Sequence, residues 1–268
     1  MTVSSKPTKR WIPPVLNDRL EQALAGLRAS AVPVPNEEEI FVGRGPYLDI
    51  SAEFLGYFVA VGGLEPHHTV LDVGSGIGRI SASLSLFLDP DKGRYIGFDP
   101  VIEGIEWCRK AYADRPNFRF EWADLYNELY RPEGTILSTE FTFPVEDKSV
   151  DFAILTSVFT HLYEPEIAAY LGELARVMKP GGRIFATAFL YEGVAPFQST
   201  LPHLHFDKQD ERNPSRWHVD GYPPLAAVCY AESYFADLVQ RATGRKADIR
   251  KGQWRGGPGP WSQDLILI

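Results

Sequence analysis

The chain has 268 residues, with 27 Lys and Arg against 35 Asp and Glu, for a formal net charge of −8. Nucleic-acid binders draw much of their affinity from Lys and Arg on phosphates, so this balance weighs against that class. A hydrophobic share of 44% excludes a disordered chain, and the length allows one large domain or one domain with an appendage.

Residues 1–14 read as a loose arm, positively charged but without an apolar run of signal-peptide length. From Val15 to Ser30, apolar residues at helical spacing (Leu16, Leu20, Ala23, Leu24, Leu27) predict an amphipathic helix. Val32 to Pro46 holds three prolines and two glycines and reads as irregular. Tyr47 to Val61 reads as a second helix, stopped by Gly62-Gly63. The texture then changes. Val70–Val73, Arg94–Phe98, Phe118–Phe120, Val150–Leu155 and Arg183–Leu190 read as strands. Ile77–Leu88, Val101–Ala113 and Glu164–Met178 read as the helices between them. This alternation predicts a mostly parallel α/β sheet with helices on both faces. Residues 191–228 show little periodicity and read as an irregular, acceptor-side insertion. Tyr230–Ala242 reads as a helix, and Ala247–Gln253 and Gln263–Ile268 as closing strands. The expected division is an N-terminal arm and lid helix over 1–46, then the main domain over 47–268.

The two cysteines, Cys108 and Cys229, make no disulfide framework, which suits a reduced, cytoplasmic chain. No stretch approaches the ~20 apolar residues that span a bilayer.

The sharpest local signal is Val70-Leu71-Asp72-Val73-Gly74-Ser75-Gly76-Ile77-Gly78-Arg79, a strand feeding a glycine turn that opens a helix. Glycine permits φ > 0 and close ligand approach, and free N–H groups at a helix start favour an anionic group. The lysine-bearing phosphate loop is absent, which weighs against nucleoside triphosphate. Asp99 ends the next strand, 21 residues after Gly78, a spacing that suits a carboxylate on ribose hydroxyls. Asp124 follows the third strand, where it either accepts from an adenine amino group or solvates a loop. Three such signals at the carboxyl ends of three strands mark the ligand edge of an open α/β sheet.

At this point the sequence resembles the class I S-adenosylmethionine-dependent methyltransferases. Asp72, Gly74, Gly76 and Gly78 match the first motif, Asp99 the ribose-binding acid and Asp124 the adenine-side acid. Phe143-Pro144 with Ser149–Leu155 matches the fourth-strand motif, and Leu174–Gly182 the helix, turn and entry to the fifth strand. The resemblance implies a Rossmann-like seven-stranded sheet with an antiparallel last strand, and S-adenosylmethionine as methyl donor. Ser75, Pro100, Leu125 and Thr156 join the implied cofactor side. Arg44 or Tyr47 is expected at the methionine carboxylate. Thr156 stands where the catechol-type enzymes carry a metal-ligating Asp, so no metal is expected in catalysis.

For the acceptor, the Asn/Asp-Pro-Pro-Tyr/Phe motif of amino-directed enzymes is missing, which favours a hydroxyl on a small molecule such as a secondary metabolite or sugar. A hydroxyl needs a base, and His161 is the candidate; its other reading is to cap or orient the loop. Phe159, Tyr191, His205, Trp217, His218 and Tyr222 are the expected acceptor wall, with His203 nearby. N- or C-methylation, or a non-catalytic cofactor-binding scaffold, are the alternatives. No nucleic acid and no membrane is expected as a partner. Trp11 and the helix from Val15 serve either a homodimer contact or an intramolecular cover.

Overall fold

A computed structural model describes residues 18–43, 45–192, 199–200 and 204–268. The arm over 1–14, Trp11, the start of the helix at Val15, Arg44 and His203 lie outside the described residues.

Two helices come first, α1 (Asp18–Arg28) and α2 (Tyr47–Tyr57). The second widens into a five-residue turn over Phe58–Gly62 and ends at Gly63, which takes φ +73°. The alternating part follows: β1 (Thr69–Val73), α3 (Arg79–Phe87), β2 (Arg94–Asp99), α4 (Ile102–Ala111), β3 (Phe118–Trp122), β4 (Val150–Leu155), α5 (Glu164–Val177) and β5 (Met178–Tyr191). Next come β6 (Phe206–Gln209), β7 (Arg216–Val219), β8 (Val228–Ala231), α6 (Glu232–Thr243), β9 (Asp248–Arg250) and β10 (Asp264–Leu267).

The main sheet runs β3-β2-β1-β4-β5-β10-β9. The pairs from β3 to β5 are parallel, and β10 lies antiparallel between β5 and β9. This is the expected seven-stranded, mostly parallel arrangement. Alternate side chains of each strand enter opposite layers. Leu71, Val73, Ala153 and Leu155 pack with Ile167 and Leu171 of α5 and Phe235 of α6. Val70, Phe152 and Ile154 pack with Leu55 of α2, Leu84 and Phe87 of α3 and Ile105 of α4. Each such fully buried apolar side chain contributes about 1.5–3 kcal/mol of transfer free energy. The helix α1 lies on this second face through Leu20 and Ala23.

The structure departs from the sequence reading in two places. β5 begins at Met178 rather than Arg183. Val150 pairs with Met178 and Phe152 with Arg183, so Lys179–Gly182 bulge between them, with Gly181 at φ +81°. The described part of 191–228 is not irregular. β6, β7 and β8 form an antiparallel meander, and β8 pairs in parallel with Phe189–Tyr191 at the far end of β5.

Candidate active site

A cavity of about 460 Å³ opens at the carboxyl ends of β1, β2 and β4. Its floor comes from Val73, Gly74 and Ser75 after β1, from Asp99 and Pro100 after β2, and from Leu125 after β3. Thr156, Ser157, Val158 and His161 after β4 form one wall.

The glycine loop is built by its conformation. Gly74, Gly76 and Gly78 have φ of +73°, +56° and +75°, a region that disfavours residues with a Cβ. A Cβ on Gly74 would meet Val158 Cγ2 at 2.8 Å, and one on Gly76 would meet Val42 Cγ1 at 2.4 Å. The loop therefore lies tight between the β4 loop and residues 41–43. Four of its N–H groups are engaged within the chain. Gly74 and Ser75 donate to the Phe98 carbonyl, Gly76 to Asp99 Oδ2 and Gly78 to the Ser75 carbonyl. The turn closes on the neighbouring strand.

Asp99 accepts from the Gly76 N–H at 2.7 Å and the Val101 N–H at 2.9 Å. Burial pushes its pKa up to about 6, against the pull of those two bonds. Asp72 is fully buried on β1, and its Oδ2 accepts from the Tyr95 hydroxyl at 2.7 Å. Burial raises its pKa to about 7; the Tyr95 bond opposes the shift and the Asp99 charge adds to it. Six buried polar atoms have no partner among the described residues: Asp72 Oδ1, Ser75 Oγ, Arg79 Nε, the Tyr112 hydroxyl, Arg255 Nη1 and Gln263 Oε1. Ser75, Arg79 and Gln263 line the cavity.

His161 ends a short 3-10 turn over Phe159–His161. Its Nδ1 donates to the Leu225 carbonyl at 2.8 Å, which leaves the lone pair on Nε2, 3.3 Å from the Tyr130 hydroxyl. Burial lowers its pKa, so the neutral ring is favoured. Beside it, Ser157 takes φ +61°, unusual for a residue with a side chain. That conformation is held from both sides. The Ser157 N–H donates to Thr187 Oγ1 at 2.8 Å, and its Oγ accepts from Gln263 Nε2 at 2.9 Å.

Several expected site residues stand elsewhere. The Tyr47 hydroxyl donates to the Ile77 carbonyl at 2.8 Å and braces the glycine loop from behind. Arg79 instead reaches the cavity, bonding the carbonyls of Val42 and Gly43. Asp124 does not line the cavity; its oxygens accept from Arg131 Nε at 2.9 Å and Thr135 Oγ1 at 2.6 Å, which hold its carboxyl below the usual range. Phe159 is fully buried against Phe235, so it is core rather than acceptor wall. Tyr191 and Trp217 bond to each other inside the small core of the meander. His218 is buried against Asp210, and Tyr222 is 62% exposed. His205 is exposed and also lies outside the lining. The rest of the lining includes residues that periodicity did not single out, Phe41, Ile50, Phe54, Phe189, Leu204 and Ala226. Of the missed residues, Arg79 sits inside the glycine motif itself and Gln263 immediately precedes β10, so position alone marked them.

Residues 71–186 match the family model described as "Methyltransferase domain". This segment is a class I methyltransferase domain. Its kind uses S-adenosylmethionine, and the site fits that group: polar atoms without partners and a glycine turn with no room for a Cβ suit a ligand rich in donors and acceptors. Around the methyltransferase domain, the likeness thins. An uncharacterized 37.1 kDa protein in transposon TN4556 of Streptomyces fradiae is 32% identical over 119 residues, covering 44% of this chain and 29% of that protein. A fatty-acid O-methyltransferase of Mycolicibacterium smegmatis is 31% identical over 127 residues, covering 47% and 37%. Phosphoethanolamine N-methyltransferase 1 of Triticum aestivum is 29% identical over 120 residues, covering 44% and 20%. The chain thus spans well under half the length of these three relatives. The PH0226 protein of Pyrococcus horikoshii shares the fold, with a TM-score of 0.54 at 14% identity, over 87% of this chain and 94% of that one. Among the described residues, no helix is long and apolar enough to cross a membrane.

Proposed function

We propose that this chain transfers a methyl group from S-adenosylmethionine to a hydroxyl of a small molecule, a secondary metabolite or a sugar, with His161 as general base. The observation that carries the reading is the fixed tautomer of His161. With Nδ1 donating to the Leu225 carbonyl, Nε2 keeps the lone pair, and burial keeps the ring neutral. A hydroxyl is a weak nucleophile while protonated, so a base at hydrogen-bond reach is what it needs. An acceptor hydroxyl would take the place of the long 3.3 Å contact from Tyr130. The names of the relatives include both O- and N-methylation, so the choice between them rests on this histidine.

Bound S-adenosylmethionine supplies an electrophilic methyl on a positively charged sulfur. The chain's own residues do the rest. Asp99 has lone pairs left for ribose hydroxyls, and the glycine turn gives close approach beside it. Ser75 Oγ and Gln263 Oε1, at the cavity, offer acceptors that are otherwise unsatisfied. Phe41, Ile50, Phe54 and Phe189 exclude water from the reacting atoms. Phe41–Gly43 serve as a cover over the site, and the meander as its acceptor side.

The test is incubation of the protein with S-adenosylmethionine and a panel of hydroxyl, amine and carbon acceptors, read by mass spectrometry. O-methyl product with S-adenosylhomocysteine is expected. N-methyl or C-methyl product without any O-methyl signal overturns the reading. So does cofactor binding with no S-adenosylhomocysteine formed, the mark of a non-catalytic scaffold.

A further inference from the structure

The turn over Pro224–Ala226 binds two histidines on consecutive carbonyls. His218 Nδ1 donates to Pro224 O at 3.0 Å, and His161 Nδ1 donates to Leu225 O at 2.8 Å. His161 lines the cavity and His218 does not. We propose that His218 is a positioning residue: it fixes the 224–226 turn so that the Leu225 carbonyl holds His161 in one tautomer and one orientation. The effect on rate rests on His161 acting as the base; the effect on the ring itself does not.

The argument follows the bonds outward. His218 is 4% exposed, and both of its ring nitrogens face oxygen acceptors. On the far side, Nε2 meets Asp210 Oδ2 at 2.8 Å. Burial works to raise the Asp210 pKa, but His218 and Arg216 outweigh it and hold the carboxylate ionised. Arg216 Nη2 lies 2.8 Å from Asp210 Oδ2, and its Nη1 bonds Glu164 Oε2. The guanidinium also stands 4.2 Å from the centroid of the Tyr163 ring. Tyr163 and Glu164 follow His161 by two and three residues. The path therefore closes on itself: the segment that carries His161 grips Arg216 of the meander, and the meander grips His161 through Leu225. A second tie runs from the Tyr230 hydroxyl of β8 to the Leu162 carbonyl at 2.8 Å.

His218 and Asp210 bond to each other outside the cavity lining. Their chemistry is that of a brace. A backbone carbonyl selects a histidine tautomer only if it stays at hydrogen-bond distance, because the neutral ring otherwise exchanges its proton between two nitrogens. The Leu225 side chain is buried in the main core, and the two histidines are the side-chain donors on the carbonyls of this short turn.

The test uses the full chain, labelled with 15N in its histidines and saturated with S-adenosylhomocysteine. Long-range 1H–15N spectra near neutral pH read the protonation of each ring nitrogen, and His161→Gln identifies the His161 signals by their loss. In the parent, His161 is expected with Nδ1 protonated and Nε2 bare. In His218→Ala, the two nitrogens are expected to shift toward one another as the second tautomer becomes populated. His218→Asn keeps an N–H at the δ position, so it is expected to restore the parent pattern. Unchanged His161 signals in His218→Ala overturn the proposal, as does a His218→Asn spectrum shifted as far as that of His218→Ala. Should His218→Ala not fold, the isosteric Asp210→Asn serves instead: a partial shift supports the brace, and none overturns it. Turnover by His218→Ala is expected to fall about 10- to 100-fold at an unchanged Kd for S-adenosylhomocysteine. A changed tautomer with unchanged turnover upholds the brace and overturns the role of His161 as base.

Discussion

The backbone N–H of Gly76 donates to Asp99 Oδ2 at 2.7 Å. One bond thereby joins the glycine turn after β1 to the acid that ends β2. It sets where the acid's remaining lone pairs point, because the Val101 N–H takes the other oxygen at 2.9 Å.

Gly76→Ala strikes this junction. The residue sits at φ +56°, and an added Cβ meets Val42 Cγ1 at 2.4 Å. Backbone strain of this kind costs about 1–3 kcal/mol, before the clash is relieved. We expect a lower thermal midpoint and loss of most S-adenosylhomocysteine affinity, by calorimetry. A variant that binds like the parent would show that the turn tolerates a side chain.

Asp72→Asn trades binding for stability. Burial raises the Asp72 pKa to about 7 from a reference of 3.8. The folded value lies above the unfolded one, so the native state holds the proton more tightly. Stability is therefore greatest below the unfolded value and is lost as pH rises through the window from about 4 to about 7. Asn stays neutral and can still accept from Tyr95. We expect the variant to be more stable than the parent by about 1–3 kcal/mol near pH 8, with the gap closing toward about pH 4. Its affinity for S-adenosylmethionine is expected to drop. Equal denaturation curves for the two proteins at alkaline pH would contradict the assignment.

His161→Gln tests the base. General-base catalysis contributes about 10²–10⁴ in rate, so kcat is expected to fall by that factor while the cofactor Kd holds. Burial lowers the His161 pKa, and the active form is the neutral one. The rate of the parent is thus expected to rise with pH along a limb whose midpoint lies below the ordinary value of about 6.5. A kcat within a factor of about two of the parent removes His161 from the chemistry.

Arg216→Ala tests how the meander is held. The Arg216 side chain is 7% exposed and serves both Glu164 and Asp210. Its removal leaves two carboxylates near each other in a low-dielectric setting without their cation. Breaking a buried ion pair from one side costs about 3–5 kcal/mol, which urea unfolding will read as a lower midpoint. A change below about 1 kcal/mol would mean that the meander is secured by its apolar core alone.

What could be read from the sequence was the part written in contiguous residues. Val70–Gly78 and Tyr95–Asp99 each carry strand, turn and chemistry within ten residues, and both stand at the cavity. The rest of the cavity lining is not legible, because it is assembled from segments far apart in the chain, at Phe41, Phe54, Tyr130 and Phe189. An aromatic ring has the same identity in a pocket and in a core. Phe159 and Trp217 fill the core, while Phe41 and Tyr130, equally aromatic, reach the cavity. His218 was misplaced for a related reason. Its polarity suggested a pocket, but a partner eight residues earlier satisfies it in the interior.

The length of β5 separates two jobs along one strand. Residues 183–186 pair with β4, and residues 189–191 pair only with β8 on their parallel side. The meander thus grows from the tip of a strand whose base is already locked into the sheet. The strands of the meander can therefore change while the β1 turn and Asp99, bonded to each other through Gly76, stay as they are. One contiguous stretch of chain, 206–231, joins the sheet there and nowhere else along the path from β3 to β6.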